Sequence, residues 1–304
     1  MLLTMADVVH RERLSATERD AVARLLSAER ADGVPNRLES EAWEATATEG
    51  AAGFGAWLAT EDGTPTAYLQ ALPGDDDGWQ LALAAGDRSE RGAAHLGRLV
   101  DAALDHVAAH GGGPVELWVT GTTPGHDRML GERGLAAARS VLQLRRGLPL
   151  EDAPSVEVRP FVPGEDEDAW LAVNNRAFAW HPDQGGWDLD DLRQRMAEPW
   201  FDPAGFLLHE RDGKLAGFCW TKVHAHAAPP MGEIYVIAVD PDFGGRGLGR
   251  ELTLAGLGHL ADGGLTVGML YVESDNEPAR RLYDGMGFTT HHTDRAYRAT
   301  VTPV

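Results

Sequence analysis

The stretch GEIYVIAVDPDFGGRGLGREL, residues Gly232–Leu252, decides the fold of the second half of the chain. Its apolar run Ile234–Val239 predicts a buried strand, and the apolar pattern of Leu248–Leu260 predicts a helix. Four glycines fall within six residues between them: Gly244, Gly245, Gly247 and Gly249. A strand, a glycine turn and a helix start can aim backbone N–H groups at an anion. The alternative is a plain strand-to-helix loop whose glycines serve only the turn.

Two arginines indicate which class of ligand this turn would accept. Arg246 and Arg250 bring positive charge to it, so a pyrophosphate is the natural ligand. A Walker A loop requires Gly-Lys-Ser/Thr, which is absent. A dinucleotide-binding loop requires an acidic residue about 20 positions on and a parallel sheet. The hairpin that precedes this turn fits neither loop.

The first half of the chain repeats the residue pattern of the second half at a shift of 153 residues. The aligned pairs are Asp87 with Asp240, Gly92 with Gly245, Trp118 with Tyr271, Arg128 with Arg281 and Gly134 with Gly287. One shift over some fifty residues indicates a duplication of a whole domain. We therefore predict domains at 1–150 and 151–304, joined by a linker near Gly147–Ser155.

Each repeat predicts the same order of elements. Helices are expected over Thr17–Glu29 and Asp166–Phe178, followed in each repeat by a hairpin whose turn is Asp-Gly, at Asp62-Gly63 and Asp212-Gly213. A strand, a glycine turn, a helix, a strand, a helix and a final strand follow. The fold class is therefore α/β, with a mixed, mostly antiparallel sheet flanked by helices in each domain.

Composition narrows the cellular setting. The 304 residues are 43% hydrophobic with a net charge of −20, and no apolar run is long enough to span a membrane. We find no signal peptide, and Cys219 is the single cysteine, so a cytoplasmic location is expected. No basic surface stands out, so neither nucleic acid nor membrane is an expected partner.

The segments VDPDFGGRGLGREL and VESDNEPARRLYDGMGF together resemble the two signature motifs of the GNAT superfamily of acetyltransferases. The first follows an Arg/Gln-x-x-Gly-x-Gly/Ala pattern, except that Gly244 stands at the Arg/Gln position. The second has an asparagine, a tyrosine and then Gly-Phe. The resemblance implies tandem GNAT-like domains, with acetyl-CoA as co-substrate and no metal.

Within that superfamily the chain resembles the mycothiol synthase family. The stretches that carry this resemblance are NRAFAWHPDQGGW, WFDP, GFCWTKVH, GEIYVIAVDP and LYVESDN. It is strong over residues 156–297 and weaker before them. It implies transfer of acetyl to the cysteinyl amine of cysteinyl-glucosaminyl-inositol, the last intermediate of mycothiol synthesis. This amine-thiol pseudodisaccharide would be the small-molecule partner. The chain is expected to be a monomer.

The same resemblance implies the residues of the site. The cofactor contacts would be Ile237, Ala238, Val239, Gly244, Gly245, Arg246, Gly247, Leu248, Gly249, Arg250, Asn276, Glu277, Pro278, Ala279, Arg280 and Arg281. The acceptor contacts would be Glu39, Asp183, Lys222, Glu233 and Tyr271.

Glu233 and Tyr283 resemble the family's general base and general acid. An α-amine has a pKa of about 8 and must lose a proton before it attacks, which a carboxylate can accept. A phenol can protonate the leaving thiolate, and Tyr283 follows Asn276 by two helical turns on one face. A solvated glutamate at a strand end and a tyrosine packed in the core are the alternatives.

The first repeat lacks both groups. At the shift of 153, Gln80 replaces Glu233 and Leu130 replaces Tyr283, and most of the glycines are missing from the loop. Neither replacement transfers protons, so we predict a catalytically silent first repeat. It would keep a weak CoA site or form one wall of the acceptor cleft.

Other reactive side chains are interpreted as structural. Cys219 lies in an apolar strand, where cysteine is usually a small core residue rather than a nucleophile. His224 and His226 are interpreted as loop histidines before Pro229-Pro230, and His291-His292 as exposed. Two functions remain open beside the family's own: acetylation of another amine (a peptide N-terminus, polyamine or drug) and non-catalytic sensing of acyl-CoA.

Overall fold

The structure is a computed structural model that describes residues 7–31, 38, 50–74, 78–85, 90–181 and 184–304. It divides into two compact units. The first unit contains Met1–Leu142, Glu273–Asp275 and His292–Val304, and the second contains Gln143–Val272 and Asn276–His291.

The helices and strands begin and end close to the predicted positions. The first half contains β1 (Asp7–Arg11), α1 (Ala16–Ala31), β2 (Gly55–Glu61), β3 (Thr64–Pro73), β4 (Trp79–Ala85), α2 (Glu90–Ala109), β5 (Gly113–Val119), α3 (Pro124–Gly131) and β6 (Ala136–Gly147). The second half contains β7 (Arg159–Pro160), α4 (Glu167–Ala177), α5 (Leu189–Met196), β8 (Phe206–Arg211), β9 (Lys214–His224), β10 (Met231–Val239), α6 (Leu248–Asp262), β11 (Val267–Glu273), α7 (Glu277–Gly285) and β12 (Thr289–Val301).

Both units have the predicted mixed, mostly antiparallel sheet. In the first unit the strand order is β1-β2-β3-β4-β5-β12, and β4–β5 is its parallel pair. In the second unit the order is β6-β11-β10-β9-β8-β7, with β10–β11 parallel. The pairs β2–β3, β3–β4, β8–β9 and β9–β10 are antiparallel. The fold class is therefore α/β, as the element order predicts.

The register of the parallel pairs repeats the shift of 153 residues. Gln80 lies opposite Glu116 in the first unit, and Glu233 lies opposite Met269 in the second. Both partners of the first pair are therefore 153 residues before their counterparts. A shared register of hydrogen-bonded strands supports the duplication inferred from scattered identities.

The two predicted hairpins form around the Asp-Gly turns. Asp62 and Gly63 have φ values of 49° and 77°, and Asp212 and Gly213 have 55° and 70°. Positive φ at both central residues is the geometry of a type I′ turn, which matches the twist of the flanking strands. Local turn chemistry therefore sets the register of both hairpins.

The strands of the second unit are buried on both faces. Phe218 and Trp220 of β9 point into an aromatic core that also contains Trp170 of α4. Cys219 points to the opposite face, where a Cβ on Gly256 of α6 would lie 2.4 Å from its sulfur. Since neighbouring side chains alternate across a strand, β9 carries one helix on each face. Cys219 is fully buried, which agrees with its interpretation as a core residue.

The boundary between the units is not a single cut near residue 150. Residues 292–304, which include most of β12, belong to the first unit, and residues 143–147 of β6 belong to the second. The repeat alignment marks where similar sequences begin, whereas strand pairing decides the unit to which each strand belongs. Of the helices in the described ranges, none has the length and apolar character needed to cross a membrane.

Candidate active site

Strand β10 contains an irregularity at the position where the predicted site begins. Its antiparallel register with β9 shifts between Ile234 and Val236, which makes Tyr235 a bulge residue. Its parallel register with β11 covers only Gly232, Glu233 and Ile234, although both strands run further. A bulge twists a strand and ends regular pairing. The backbone of residues 235–239 therefore lies outside the ladder with β11.

The glycine turn follows the end of β10. Gly245 and Gly247 have φ values of 74° and 76°, a left-handed conformation that suits glycine, and Gly247 caps α6 without any side-chain hydrogen bond. No atom lies within 4 Å of a Cβ built on either residue. The start of α6 therefore has no side-chain cap, and the space beside Gly245 and Gly247 is open.

Three elements meet beside the turn. A Cβ on Gly249 of α6 would lie 3.7 Å from Leu282 of α7 and 4.0 Å from Val239 of β10. The structure thus brings together the end of β10, the start of α6 and α7, which are the three segments predicted to hold the cofactor. A Cβ at position 249 would be in ordinary van der Waals contact with both neighbours, so the three elements pack directly against one another here.

An ion pair that sequence reasoning missed supports the turn. Asp240 is 3% exposed and accepts a hydrogen bond from the backbone N–H of Asp242 at 2.9 Å. The guanidinium of Arg176, on α4, lies 3.3 Å from Asp240 and 2.9 Å from Asp242. This contact joins residues 64 positions apart, so no local sequence pattern predicts it.

The two arginines of the turn differ in their surroundings. Arg246 is exposed beside Gly245 and Gly247. Arg250 forms an ion pair with Asp152 and lies 3.4 Å from Glu251. Arg246 is therefore the cation with greater freedom to bind an added anion, whereas Arg250 already has carboxylate neighbours.

Glu233 is buried and has a histidine partner. It is 6% exposed, and its Oε2 lies 2.6 Å from Nε2 of His224. His224 was predicted to be a loop histidine, and this prediction is wrong. Strand β9 continues to His224 before the chain turns, so its side chain lies on the same face as Lys222 and reaches Glu233. His226 lies in the turn and is exposed, as predicted.

Lys222 lies directly opposite Glu233 in the β9–β10 register and is held over two aromatic rings. Its Nζ lies 4.5 Å from the ring centre of Trp200 and 5.4 Å from that of Tyr235. The two rings contact each other edge to face, 4.9 Å between centres. A cation above aromatic faces is stabilised electrostatically. Neither aromatic residue was predicted for the site.

Helix α7 presents the predicted tyrosine. Asn276 caps it by accepting a hydrogen bond from the backbone N–H of Ala279 at 3.2 Å. Tyr283 is 6% exposed and packs edge-on against Phe288, 5.6 Å between ring centres. Burial, with a further contribution from Cys219, raises the pKa of the phenol. Tyr283 is therefore kept protonated at neutral pH.

The remaining predicted residues fall into two groups. Tyr271 is half-buried on β11, and its hydroxyl accepts a 2.6 Å hydrogen bond from the side chain of fully buried Gln143. Glu39 and Asp183 lie outside the described residues. Among the described residues, no cluster of three or more His, Cys, Asp or Glu is arranged to hold a metal ion.

The first unit lacks the special geometry of β10. In β4 the antiparallel register with β3 runs without a shift from Ala67 opposite Ala85 to Pro73 opposite Trp79. Gln80 is exposed on this strand, and Leu130 is buried in α3. The described part of the first unit therefore differs from the second in its backbone as well as in its side chains.

One further prediction is wrong for this part of the chain. His292 was expected to be exposed, but its side chain is 9% exposed and its Nε2 lies 3.2 Å from Oδ1 of Asp294. His292 opens the part of β12 that belongs to the first unit, and this membership accounts for its burial. His291 is exposed, as expected.

The fold and site define the class of protein. Residues 170–288 match the model of the acetyltransferase (GNAT) family. A GCN5-related N-acetyltransferase from Sphaerobacter thermophilus superimposes with a TM-score of 0.71, covering 99% of this chain and 98% of that one at 21% identity. A tandem GNAT protein from the clavulanic acid biosynthesis pathway has a TM-score of 0.58, 98% and 100% coverage, and 15% identity. These structures share the fold of a GNAT acetyltransferase.

Similarity to characterised sequences narrows the class. A mycothiol acetyltransferase of Acidimicrobium ferrooxidans is 46% identical over 286 residues, which cover 90% of this chain and 91% of that protein. A mycothiol acetyltransferase of Thermobispora bispora is 49% identical over 240 residues, covering 76% and 78%. The chain belongs to the mycothiol acetyltransferase family.

Proposed function

We propose that this chain transfers acetyl from acetyl-CoA to the cysteinyl amine of cysteinyl-glucosaminyl-inositol, which completes mycothiol synthesis. Family membership supports the substrate. The observation that carries the chemistry is a buried carboxylate, Glu233, at the bulge from which β10 leaves β11. It lies two residues before the bulge, on the strand face that carries Lys222, where an amine could meet an acyl group.

The residues around the glycine turn fit acetyl-CoA. The uncapped N-terminus of α6 and the open space above Gly245 and Gly247 would accept the pyrophosphate, with Arg246 adding positive charge. The backbone N–H groups of Ile237–Val239 would border the pantetheine and polarise the thioester carbonyl. Gly249 and helix α7 from Asn276 to Arg281 would close the other side.

Proton transfer would use groups on β10 and α7. Glu233 would accept a proton from the ammonium of the acceptor, and the free amine would attack the thioester carbon. The tetrahedral intermediate would collapse by breaking the carbon–sulfur bond. Tyr283, whose buried phenol is protonated, would donate its proton to the departing CoA thiolate. The nitrogen loses two protons in all, the first to Glu233 before attack and the second as the tetrahedral intermediate collapses. One of them is balanced by the proton gained at sulfur and the other is released to solvent, which resets both side chains.

Acceptor binding would use the face of β9 and β10 that carries Lys222. Its ammonium, held over Trp200 and Tyr235, could donate hydrogen bonds to sugar or inositol hydroxyls. Tyr271, Glu39 and Asp183 are proposed as further contacts. Near Asp183, the side chain of Asn174 donates to the backbone carbonyl of Gln184 at 2.8 Å and supports that segment.

The first unit is proposed to be catalytically silent. Exposed Gln80 occupies the register position of Glu233, and β4 lacks the shift that opens β10. Without that shift, β4 has no bulge residue that corresponds to Tyr235. The two acetyl-transfer groups would therefore come from the second unit alone.

Release of free thiol from acetyl-CoA, measured with purified protein with and without cysteinyl-glucosaminyl-inositol, tests this function. We expect release that depends on the acceptor and a product heavier by one acetyl group. Release with a polyamine or a peptide N-terminus, but not with this acceptor, would overturn the substrate. Binding of CoA by calorimetry with no release from any amine would overturn catalysis and favour an acyl-CoA sensor.

A further inference from the structure

His224 is a half-buried titratable side chain that the proposed mechanism leaves without a role. Its side chain is 16% exposed and that of Glu233 is 8% exposed, and Nε2 and Oε2 lie 2.6 Å apart. This distance is that of a strong, charge-assisted hydrogen bond. The partner of His224 is thus the carboxylate that the proposed reaction needs as its base.

The strand register explains why this histidine reaches the carboxylate. In the β9–β10 pair, Lys222 lies opposite Glu233 and His224 lies opposite Met231. His224 is two residues beyond Lys222, so it shares the face of Glu233 and lies diagonal to it. Diagonal neighbours on an antiparallel pair are close enough for long side chains to meet. The contact is thus built from two regular strands just before the bulge at Tyr235.

The hydrogen bond restricts the orientation of the carboxylate. Against the ionised carboxylate that a general base requires, Nε2–H donates and Oε2 accepts, so one oxygen is committed to the imidazole. The second oxygen, Oε1, then has a defined direction in which to accept a proton. A general base acts only within hydrogen-bond reach of the proton that it abstracts, and small displacements are costly. A carboxylate on a free glutamate side chain would sample several rotamers instead.

We propose that His224 is the positioning residue of the general base: it holds Glu233 through Nε2 and directs Oε1 toward the acceptor amine. The proposal deepens the function proposed above and rests on it. His224 touches neither substrate in this scheme and acts only through Glu233. Other charged or titratable groups near the pair are Lys222 on β9, Tyr235 on β10, and Arg195 and Glu198, which act on Tyr235.

The first experiment compares three single variants. His224→Leu removes the donor, and we expect kcat to fall about tenfold to a hundredfold, while the KM for acetyl-CoA is unchanged. His224→Gln should recover a large part of kcat, because its side-chain amide can donate from a position similar to that of Nε2. His226→Leu is the matched control: it is exposed two residues further on, and its rate should equal that of the wild type.

A double-variant cycle separates positioning from a merely structural role. In a Glu233→Gln background, His224→Leu should change kcat little further, because residues that act as one unit are not additive. Equal losses in both backgrounds would overturn the proposal, as would full kcat in His224→Leu. A lower melting temperature together with additive losses would assign His224 to the scaffold.

A spectroscopic measurement on the free protein covers the case in which His224→Leu fails to fold. The ring nitrogens of 15N-labelled wild type should show a protonated Nε2 at His224, with a shift that changes in Glu233→Gln. An Nε2 that is unprotonated at neutral pH, or that is unaffected by Glu233→Gln, would overturn the pairing. Wild type without acetyl transfer to any amine would instead overturn the proposed function, and the positioning role with it. An active wild type with an insensitive His224 would overturn only the role of the histidine.

Discussion

At the scale of single residues, Glu233 combines burial with a charge-bearing group. A carboxylate that is 6% exposed has lost most of its contact with water, and burial of a charge is unfavourable unless a partner compensates it. His224 supplies one hydrogen bond, and Lys222 lies opposite across the strand pair. Most glutamates lie at the protein surface, and a buried glutamate paired with a histidine is typical of a functional site.

We expect Glu233→Gln to lower kcat at neutral pH by about a hundredfold or more, the usual scale for loss of a general base. Glutamine keeps the shape but cannot accept the proton of an ammonium. The residual rate should rise about tenfold per pH unit up to about pH 8, because the free amine forms without help there. Steady-state rates from pH 6 to 9 measure this.

Gln80→Ala is the control, because Gln80 occupies the same register position in the first unit. Its rate should match that of the wild type. A large loss in this variant would mean that the first unit takes part in catalysis. A flat pH profile in Glu233→Gln would mean that another group accepts the proton.

Tyr283→Phe should lower kcat by about a hundredfold, since the thiolate would then leave without a positioned acid. Burial and the neighbouring Cys219 raise the pKa of Tyr283 above its ordinary value near 10. The wild-type phenol therefore stays protonated as the pH approaches 10, and Tyr283 should cause no loss of rate below that pH. An alkaline loss below pH 10 that disappears in the phenylalanine variant would contradict this assignment.

Sequence reasoning found the residues that stand in motifs and missed those that only the sheet brings together. Glu233, Tyr283 and the glycines lie in contiguous patterns. His224 was interpreted as a loop residue because Pro229-Pro230 follows, yet β9 extends up to it and pairs it with β10. Trp200 reaches Lys222 from 22 residues away. Such contacts depend on strand register, which a single sequence specifies only loosely at strand ends.

At the scale of elements, the start of α6 combines an uncapped helix terminus with two left-handed glycines. A negatively charged ligand is stabilised at such a terminus by its N–H groups and by the helix dipole. Arg176 pairs with Asp240 and Asp242, where the chain leaves β10 and approaches this turn. The affinity for acetyl-CoA should therefore depend on the backbone of this turn.

Gly247→Ala should weaken acetyl-CoA binding by about tenfold, because an alanine at a φ of 76° costs about 1–2 kcal/mol. Its Cβ would also project into open space at the helix start. Calorimetric titration with CoA measures this. The matched control is Gly258→Ala in the same helix, where a Cβ would meet no atom within 4 Å. That variant should bind CoA normally and be more stable by about 0.5–1 kcal/mol. Equal affinity in both variants would contradict the proposed phosphate site.

Elements with local signals were predictable, and the bulge was not. The hairpins follow from Asp-Gly turns, and α6 follows from its apolar pattern after a glycine run. The bulge at Tyr235 has no proline or glycine to announce it. The register with β9 shifts after Ile234, where the pairing with β11 also ends. The position of the bulge is therefore set by three strands rather than by a local sequence pattern.

At the scale of the whole molecule, the two repeats exchange strands. The repeat alignment predicts a duplication with a cut near residue 150, whereas the first compact unit also contains residues 292–304, which include most of β12. Residues 295–301 of β12 pair with 113–119 of β5, inside the first unit. The alignment of the two halves of the sequence indicates where each repeat begins. The unpaired edge of β5 decides which strand completes its sheet.

Side chains tie this part of β12 to the first unit. Tyr297 is 1% exposed within the main core of that unit, and its hydroxyl donates to Asp127 of α3 at 2.6 Å. Arg295 also pairs with Asp127. Partial burial opposes ionisation of Asp127, but hydrogen bonds from Arg295 and Tyr297 outweigh it and lower the pKa of the carboxyl. The carboxylate therefore stays charged at neutral pH and keeps both partners.

Tyr297→Ala should destabilise the first unit, although residue 297 lies in the second repeat of the sequence. Loss of a buried aromatic side chain costs about 3–5 kcal/mol, and the cavity would open beneath β5. Amide hydrogen exchange should therefore accelerate in Gly113–Val119 of β5 before it does in Val267–Glu273 of β11. Tyr297→Phe, which loses only the hydroxyl, should change exchange far less. If β11 lost protection first, β12 would belong to the second unit and the strand exchange would be wrong. Loss of protection confined to β5 would mean that the first repeat needs the last strand of the second to complete its sheet.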